Sequence, residues 1–215
     1  MAKKPLEQRS YSFDVLSEDT ENGNKISGRP IVYSSRTDLG WFDEIIEPAA
    51  LDEADLTDVR FLINHDTSKI PLARSRRNNG SSTMQLFPVN EGLDFEAVVD
   101  TENNANAREL VSAIKRGDIS GMSFMFSIDD EEWENLESDH PTRHIRKIGS
   151  VVEISAVTFP AYEATTINAR SKEALENARS AVETARQQSA TSVETDEELE
   201  LLKEKSKILG GIYNA

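Results

Sequence analysis

Three residues in this chain have the types needed to activate a hydroxyl against a carbonyl: His65, Ser123 and Glu153. Each sits in or beside a strongly apolar, strand-like run. Ser123 lies in GDISGMSFMFSI, where Met122, Phe124, Phe126 and Ile128 alternate as one face and Gly121, Ser123, Met125 and Ser127 as the other. If the first face packs into a core, Ser123 is fixed on rigid backbone facing the other way. Gly121, two residues earlier, allows backbone or substrate to come close to that face. His65 follows the strand-like DVRFLI, and an imidazole can take a hydroxyl proton near neutral pH. Glu153 lies between Val152 and Ile154 in a run that otherwise reads as core, so its charge needs a partner.

The residues alone leave alternatives open. Most strand serines are structural, GMSFM is not the GxSxG nucleophile elbow, and Ser120, Ser127 and Ser155 compete with Ser123. Glu153 can orient a histidine or pair with Arg60, Arg143 or Arg146, and Asp66 is a second candidate orienter for His65. His140 and His144 stand four apart, but Pro141 interrupts any shared helix and they read as surface residues rather than zinc ligands. The order histidine, serine, acid differs from the familiar triads, which are defined by geometry rather than order.

The elements that must position these residues are mostly strands. Residues 1–9 read as loose, Tyr11 to Leu16 as a first strand, and SEDTENGNK as a turn before KISGRPIVY, with Pro30 at an edge or bulge. Trp41 to Ile46 is a short extended run, AALDEADL fits one or two helical turns, and Asp58 to Ile63, Thr83 to Phe87 and Gly92 to Val99 read as strands. From Asn104 to Arg116 the period becomes helical, with Ala107, Leu110, Val111 and Ile114 on one face and Gly117 as terminator. DDEEWENLESDHP reads as an acidic solvated connection, and HIRKIG and VVEISAVTF as two further strands. After Arg170 the chain turns to weakly amphipathic helices, capped by Ser171 and Thr195 and separated by a linker. Strands do not alternate with helices and no phosphate-binding glycine motif occurs, so the expected class is mainly β, a mostly antiparallel barrel or sandwich.

With 215 residues the chain has room for one sizeable core and an extension. Hydrophobic residues make up 37% and charged residues 29%, a globular composition, and the net charge of −15 disfavours direct nucleic-acid binding. The absence of cysteine excludes thiol nucleophiles, thiolate metal sites and disulfides. No signal-peptide or bilayer-length apolar run is seen, so no membrane partner is expected.

Seven ordered stretches resemble the prohead proteases of tailed bacteriophages: KISGRPIVYSS, WFDEIIEPAAL, VRFLINHD, LARS, GLDFEAVVD, IKRGDISGMSFMF and VVEISAVTFPAY. The resemblance implies a fold like that of the herpesvirus assemblins, a closed antiparallel β-barrel surrounded by helices, here with a helical tail. It implies a flexible segment 1–9, a protease domain over 10–170, and an acidic tail over 171–215 for targeting or removal. It assigns base, nucleophile and acid to His65, Ser123 and Glu153, the last replacing the second histidine of the assemblins, and Met125 stands where many relatives have glycine. The implied enzyme is a serine endopeptidase without metal or cofactor that cleaves the major capsid protein, its scaffolding segment and itself. It would self-associate, a dimer being one form, and act inside the immature head in the bacterial cytoplasm. A noncatalytic assembly or scaffolding protein on the same fold is the competing expectation. Arg74 and Arg146 are candidates to assist the oxyanion.

Overall fold

The computed structural model describes residues 5–12, 15–20, 23–158, 176 and 178–187. Two sheets and one principal helix are built from them. The larger sheet runs β1 (Leu6–Ser12), β10 (Gly121–Glu134), β11 (Thr142–Val157), β5 (Asp43–Ile46) and β4 (Arg36–Asp38). β6 (Asp58–Ile63) also joins β11 and carries β7 (Ala73–Arg76) on its outer side. The smaller sheet is β2 (Leu16–Thr20), β3 (Gly23–Val32), β9 (Gly92–Val99) and β8 (Met84–Val89). The single helix with a full set of caps, α1, spans Ala105–Arg116.

Alternation decides what is buried. In β9, Leu93, Phe95, Ala97 and Val99 enter the core, and Met122, Phe124 and Phe126 of β10 meet them from the other sheet as parts of one cluster. Phe61 of β6 and Phe95 of β9 pack ring on ring, 5.2 Å between centroids, so the two sheets share one interior. α1 contributes Ala107, Leu110, Val111 and Ile114, the stripe expected from its 3.6-residue period. The Asn104 side chain accepts from the backbone N–H groups of Asn106 and Ala107, and Gly117 ends the helix at φ 79°, a left-handed conformation suited to glycine.

The expectation of a closed antiparallel barrel surrounded by helices is not met. Among the described residues no ladder joins the two sheets, and β1, β4, β7, β2 and β8 remain edges. The larger sheet is also mixed, because β11 pairs in parallel with β5 through Thr142–Ile145 and with β6 through Glu153–Ala156. Among the described residues helices are sparse, α1 and the helical run 178–187.

Several local expectations change for one reason, that charge can be compensated across a ladder. The segment read as loose, 1–9, holds the first four residues of β1, and Glu7, Arg9 and Ser10 of that strand are buried against polar partners. The acidic segment after Ile128 continues β10 as far as Glu134, with Asp130 opposite Lys147, Glu132 opposite His144 and Trp133 opposite Arg143. HIRKIG and VVEISAVTF form one strand, β11. AALDEADL makes turns rather than a helix. Pro30 falls where the β3–β9 register shifts between Gly28 and Ile31, so the bulge absorbs its missing N–H. No helix among the described residues is long and apolar enough to cross a membrane. The proposed Ser171 and Thr195 helix caps lie outside the described residues.

Candidate active site

Glu153 and Ser155 project from β11 onto the face that carries Ser123 in β10, because Ser123 pairs with Ser155 and Met125 with Glu153. Glu153 is buried and its two oxygens are divided. One lies 2.5 Å from His65 Nδ1, and the other accepts the Ser155 hydroxyl at 2.6 Å. Ser155 Oγ in turn accepts the His65 backbone N–H at 3.1 Å. The serine therefore ties the acid to the backbone of the residue that the acid orients.

His65 reaches this position through a tight left-handed turn. β6 runs parallel to β11 as far as Ile63, after which Asn64 (φ 50°) and His65 (φ 58°) reverse the chain over the adjacent strand. Two consecutive non-glycine residues in this region cost roughly 1–2 kcal/mol each. Hydrogen bonds offset that cost: Asn64 N–H donates to the Ala156 carbonyl, and Asn64 Oδ1 accepts from Thr158 N–H at 2.9 Å. An ionised Glu153 requires Nδ1 to donate, which leaves the Nε2 lone pair available as a base. Nε2 is buried and has no hydrogen-bond partner among the described residues.

Ser123 is fully buried. Its hydroxyl donates to the Arg9 carbonyl at 2.6 Å and accepts from Ser10 Oγ at 2.8 Å, both in β1. The three serines Ser10, Ser123 and Ser155 thus stand in one row across β1, β10 and β11. Beside this row, on the opposite face, lies a buried charge cluster. Arg9 bonds both oxygens of Glu44, at 2.5 and 2.6 Å, and Glu7 at 2.5 Å, while Arg143 bonds Glu7, Glu44 and Glu131.

The competing residues go elsewhere. Asp66 accepts the backbone N–H and hydroxyl of Ser68 and so shapes the turn after His65. Ser127 meets Ser150, and Ser155 faces Glu153 and a backbone amide; among the described residues neither Ser155 nor Ser123 is hydrogen-bonded to the free nitrogen of His65. Arg60 pairs with Asp58, Arg143 with its three acids and Arg146 with Glu132, so Glu153 is left to His65. Arg74 is likewise engaged with Asp58. His140 contacts Asp43 and His144 contacts Glu47, and no group of three potential ligands among the described residues contains both histidines. The bridging role of Ser155 and the approach of β1 to Ser123 were missed in the sequence. Only strand register reveals them.

The sequence model of the caudovirus prohead serine proteases matches residues 11–180. No curated protein matches. Among solved structures, the capsid assembly protease of bacteriophage T4 is similar at 13% identity, over 74% of this chain and 100% of its own, with a TM-score of 0.42. The 11–180 span of the family match includes Ser123, Glu153, Ser155 and the turn that carries His65, and begins one residue after Ser10. The chain belongs to the caudovirus prohead serine proteases, enzymes that act on capsid or scaffold precursors during head maturation.

Proposed function

We propose that this protease works through an acyl-enzyme on Ser123, with His65 as base and Glu153 as the acid that orients the ring. The observation that carries the reading is the buried His65 Nδ1 to Glu153 contact at 2.5 Å, which aims an unpartnered Nε2 away from the acid. His65 takes the Ser123 proton as the oxygen attacks the scissile carbonyl, and the imidazolium then protonates the leaving amine. Water repeats the sequence to release the acyl group. Glu153 stays ionised, stabilising the charged ring, and Ser155 keeps its second oxygen occupied.

The substrates in this reading are the major capsid protein, its scaffolding segment and the protease itself, met inside the immature head in the host cytoplasm. Confinement raises the local concentration of enzyme and target, so individual contacts need not be strong. Self-association belongs to the same proposal. So does the division into a protease domain over 10–170 and a tail over 171–215.

Coexpression with the capsid precursor tests the assignment. Ser123→Ala is expected to lower cleavage by about 10⁴-fold or more while leaving the fold intact. Cleavage at the wild-type rate would remove Ser123 from the mechanism. Assembly without cleavage by the wild type would favour a scaffolding role.

A further inference from the structure

The β1 strand pairs with the β10 edge beside Ser123, Ser10 standing opposite it. We propose that the β10 edge beside Ser123 is a peptide-docking edge whose resident occupant is Leu6–Ser12, an intramolecular inhibitory strand that must leave before the enzyme can act. The proposal rests on Ser123 being the nucleophile.

Two observations converge on it. A hydroxyl has one proton to give, and Ser123 gives it to the Arg9 carbonyl, 2.6 Å away, while Ser10 fills its acceptor side at 2.8 Å. Meanwhile His65 Nε2, the atom that must receive that proton, is buried without a partner among the described residues. The serine row therefore satisfies Ser123 through β1 and leaves the base idle. Removing β1 takes away both hydroxyl partners at once, opens a fully buried side chain, and frees the β10 edge for another extended chain to add as a strand.

The described inward attachment of β1 is ionic rather than apolar. Its first hydrophobic residue, Leu6, is exposed, and its inward side chains Glu7 and Arg9 carry opposite charges. Departure of the strand removes one negative and one positive charge together. What stays behind is one arginine for two acids, since Arg143 reaches Glu44 at 3.3 Å and also bonds Glu131. The described inward side chains of the strand are charged, so their departure leaves a polar site that water can enter rather than an apolar hole.

The test locks and unlocks the strand in the full-length protein. Gln8 and Met125 face each other in the β1–β10 register and on the same side, a placement suited to a reversible disulfide in a chain that has no cysteine of its own. In the Gln8→Cys/Met125→Cys variant, labelling of Ser123 by a fluorophosphonate probe is expected to stop on oxidation and return on reduction. In the Glu7→Ala/Arg9→Ala variant, labelling is expected to rise about 10- to 1000-fold, the gain available when a minor open state becomes the major one. Ser123→Ala provides the blank. Equal labelling of oxidised and reduced forms overturns the inhibitory role. Should the reduced form stay silent, the alanine pair decides: faster labelling than wild type upholds the proposal, and equal or slower labelling overturns it. If neither wild type nor any variant reacts or cleaves, the Ser123 assignment itself falls, and the inhibitory role with it.

Discussion

Ser155 holds two things at once that the chemistry needs fixed: the free oxygen of Glu153 and the amide of His65, a residue in left-handed conformation. Ser155→Ala leaves a buried carboxylate oxygen and a buried N–H unsatisfied, a cost of roughly 1–3 kcal/mol for each group. The expected result is a drop in kcat of about 10- to 100-fold with KM nearly unchanged, since such supporting bonds orient rather than bind. A further expected change is in the pH profile of kcat/KM, because Glu153 then holds the ring less firmly; an unaltered kcat and profile would reduce Ser155 to filler. That Glu153 needs a buried partner was legible in the sequence, because a glutamate between Val152 and Ile154 is out of place unless something answers it. Whether a histidine or one of three arginines did so was open from the residues alone, and it was the family resemblance that pointed to His65. The serine between them was visible only as a rival nucleophile, because its role depends on which carboxylate oxygen it meets. The group that engages Ser123 from β1 includes a backbone carbonyl, and a carbonyl leaves no mark in residue types.

The element whose sequence is least revealing is β1. LEQRSYS shows no apolar alternation, yet Glu7, Arg9 and Ser10 are buried, because ion pairs replace apolar contacts on the side where strand patterns are sought. The acidic half of β10 escaped notice for the same reason, its charges being answered from β11. By contrast β9 and α1 follow from their periods because their burial is apolar. Burial of Glu7 pushes its carboxyl up, but the charges and hydrogen bonds of Arg9 and Arg143 outweigh this and hold it below the ordinary value. Glu44 from β5, Glu131 from β10 and Arg143 from β11 are the charged groups that complete its surroundings. A carboxylate depressed on folding stabilises the folded arrangement above its ordinary value of 4.5, and that contribution is lost as pH falls through the folded value. Acidification below pH 4.5 is therefore expected to loosen β1 before the core. Hydrogen-exchange protection, corrected for intrinsic rates, should fall in Leu6–Ser12 while β9 stays protected, and Glu7→Gln should show weak β1 protection already at neutral pH. Protection of Leu6–Ser12 that falls only together with that of β9 on acidification would show that other contacts hold the strand.

At the scale of the whole molecule, the described residues form a mixed seven-stranded sheet and a four-stranded sheet that share one core, with Ser10, Ser123 and Ser155 in a row over β1, β10 and β11, Glu153 on β11 and His65 in the turn after β6. The parallel pairing of β5 and β6 to one long strand joins segments far apart in sequence, and no local pattern records it. The C-terminal segment is the remaining question of layout. Its described helical run, 178–187, buries Ala178 and Val182, places the Arg179 guanidinium 5.6 Å from the Trp41 ring centre, and bonds Arg186 to the carbonyls of Leu136 and Ser138. Trp41 belongs to an aromatic group with Phe42 and Trp133, so this run covers part of the protease body. Where the chain is cut should therefore matter. Ending it after Arg170 removes that cover and is expected to cost about 2–4 kcal/mol from the lost valine burial and cation–π contact. Ending it after Gln187 keeps every one of these contacts and is expected to leave the melting temperature unchanged. If residues 188–215, with their acids at Glu194, Asp196, Glu197 and Glu198, direct the enzyme to the shell or scaffold, the longer truncate should cleave capsid precursor normally in solution yet be absent from isolated proheads. Normal packaging of that truncate would exclude a targeting role for 188–215, and equal melting of the two truncates would show that the 178–187 run adds nothing to the body it covers.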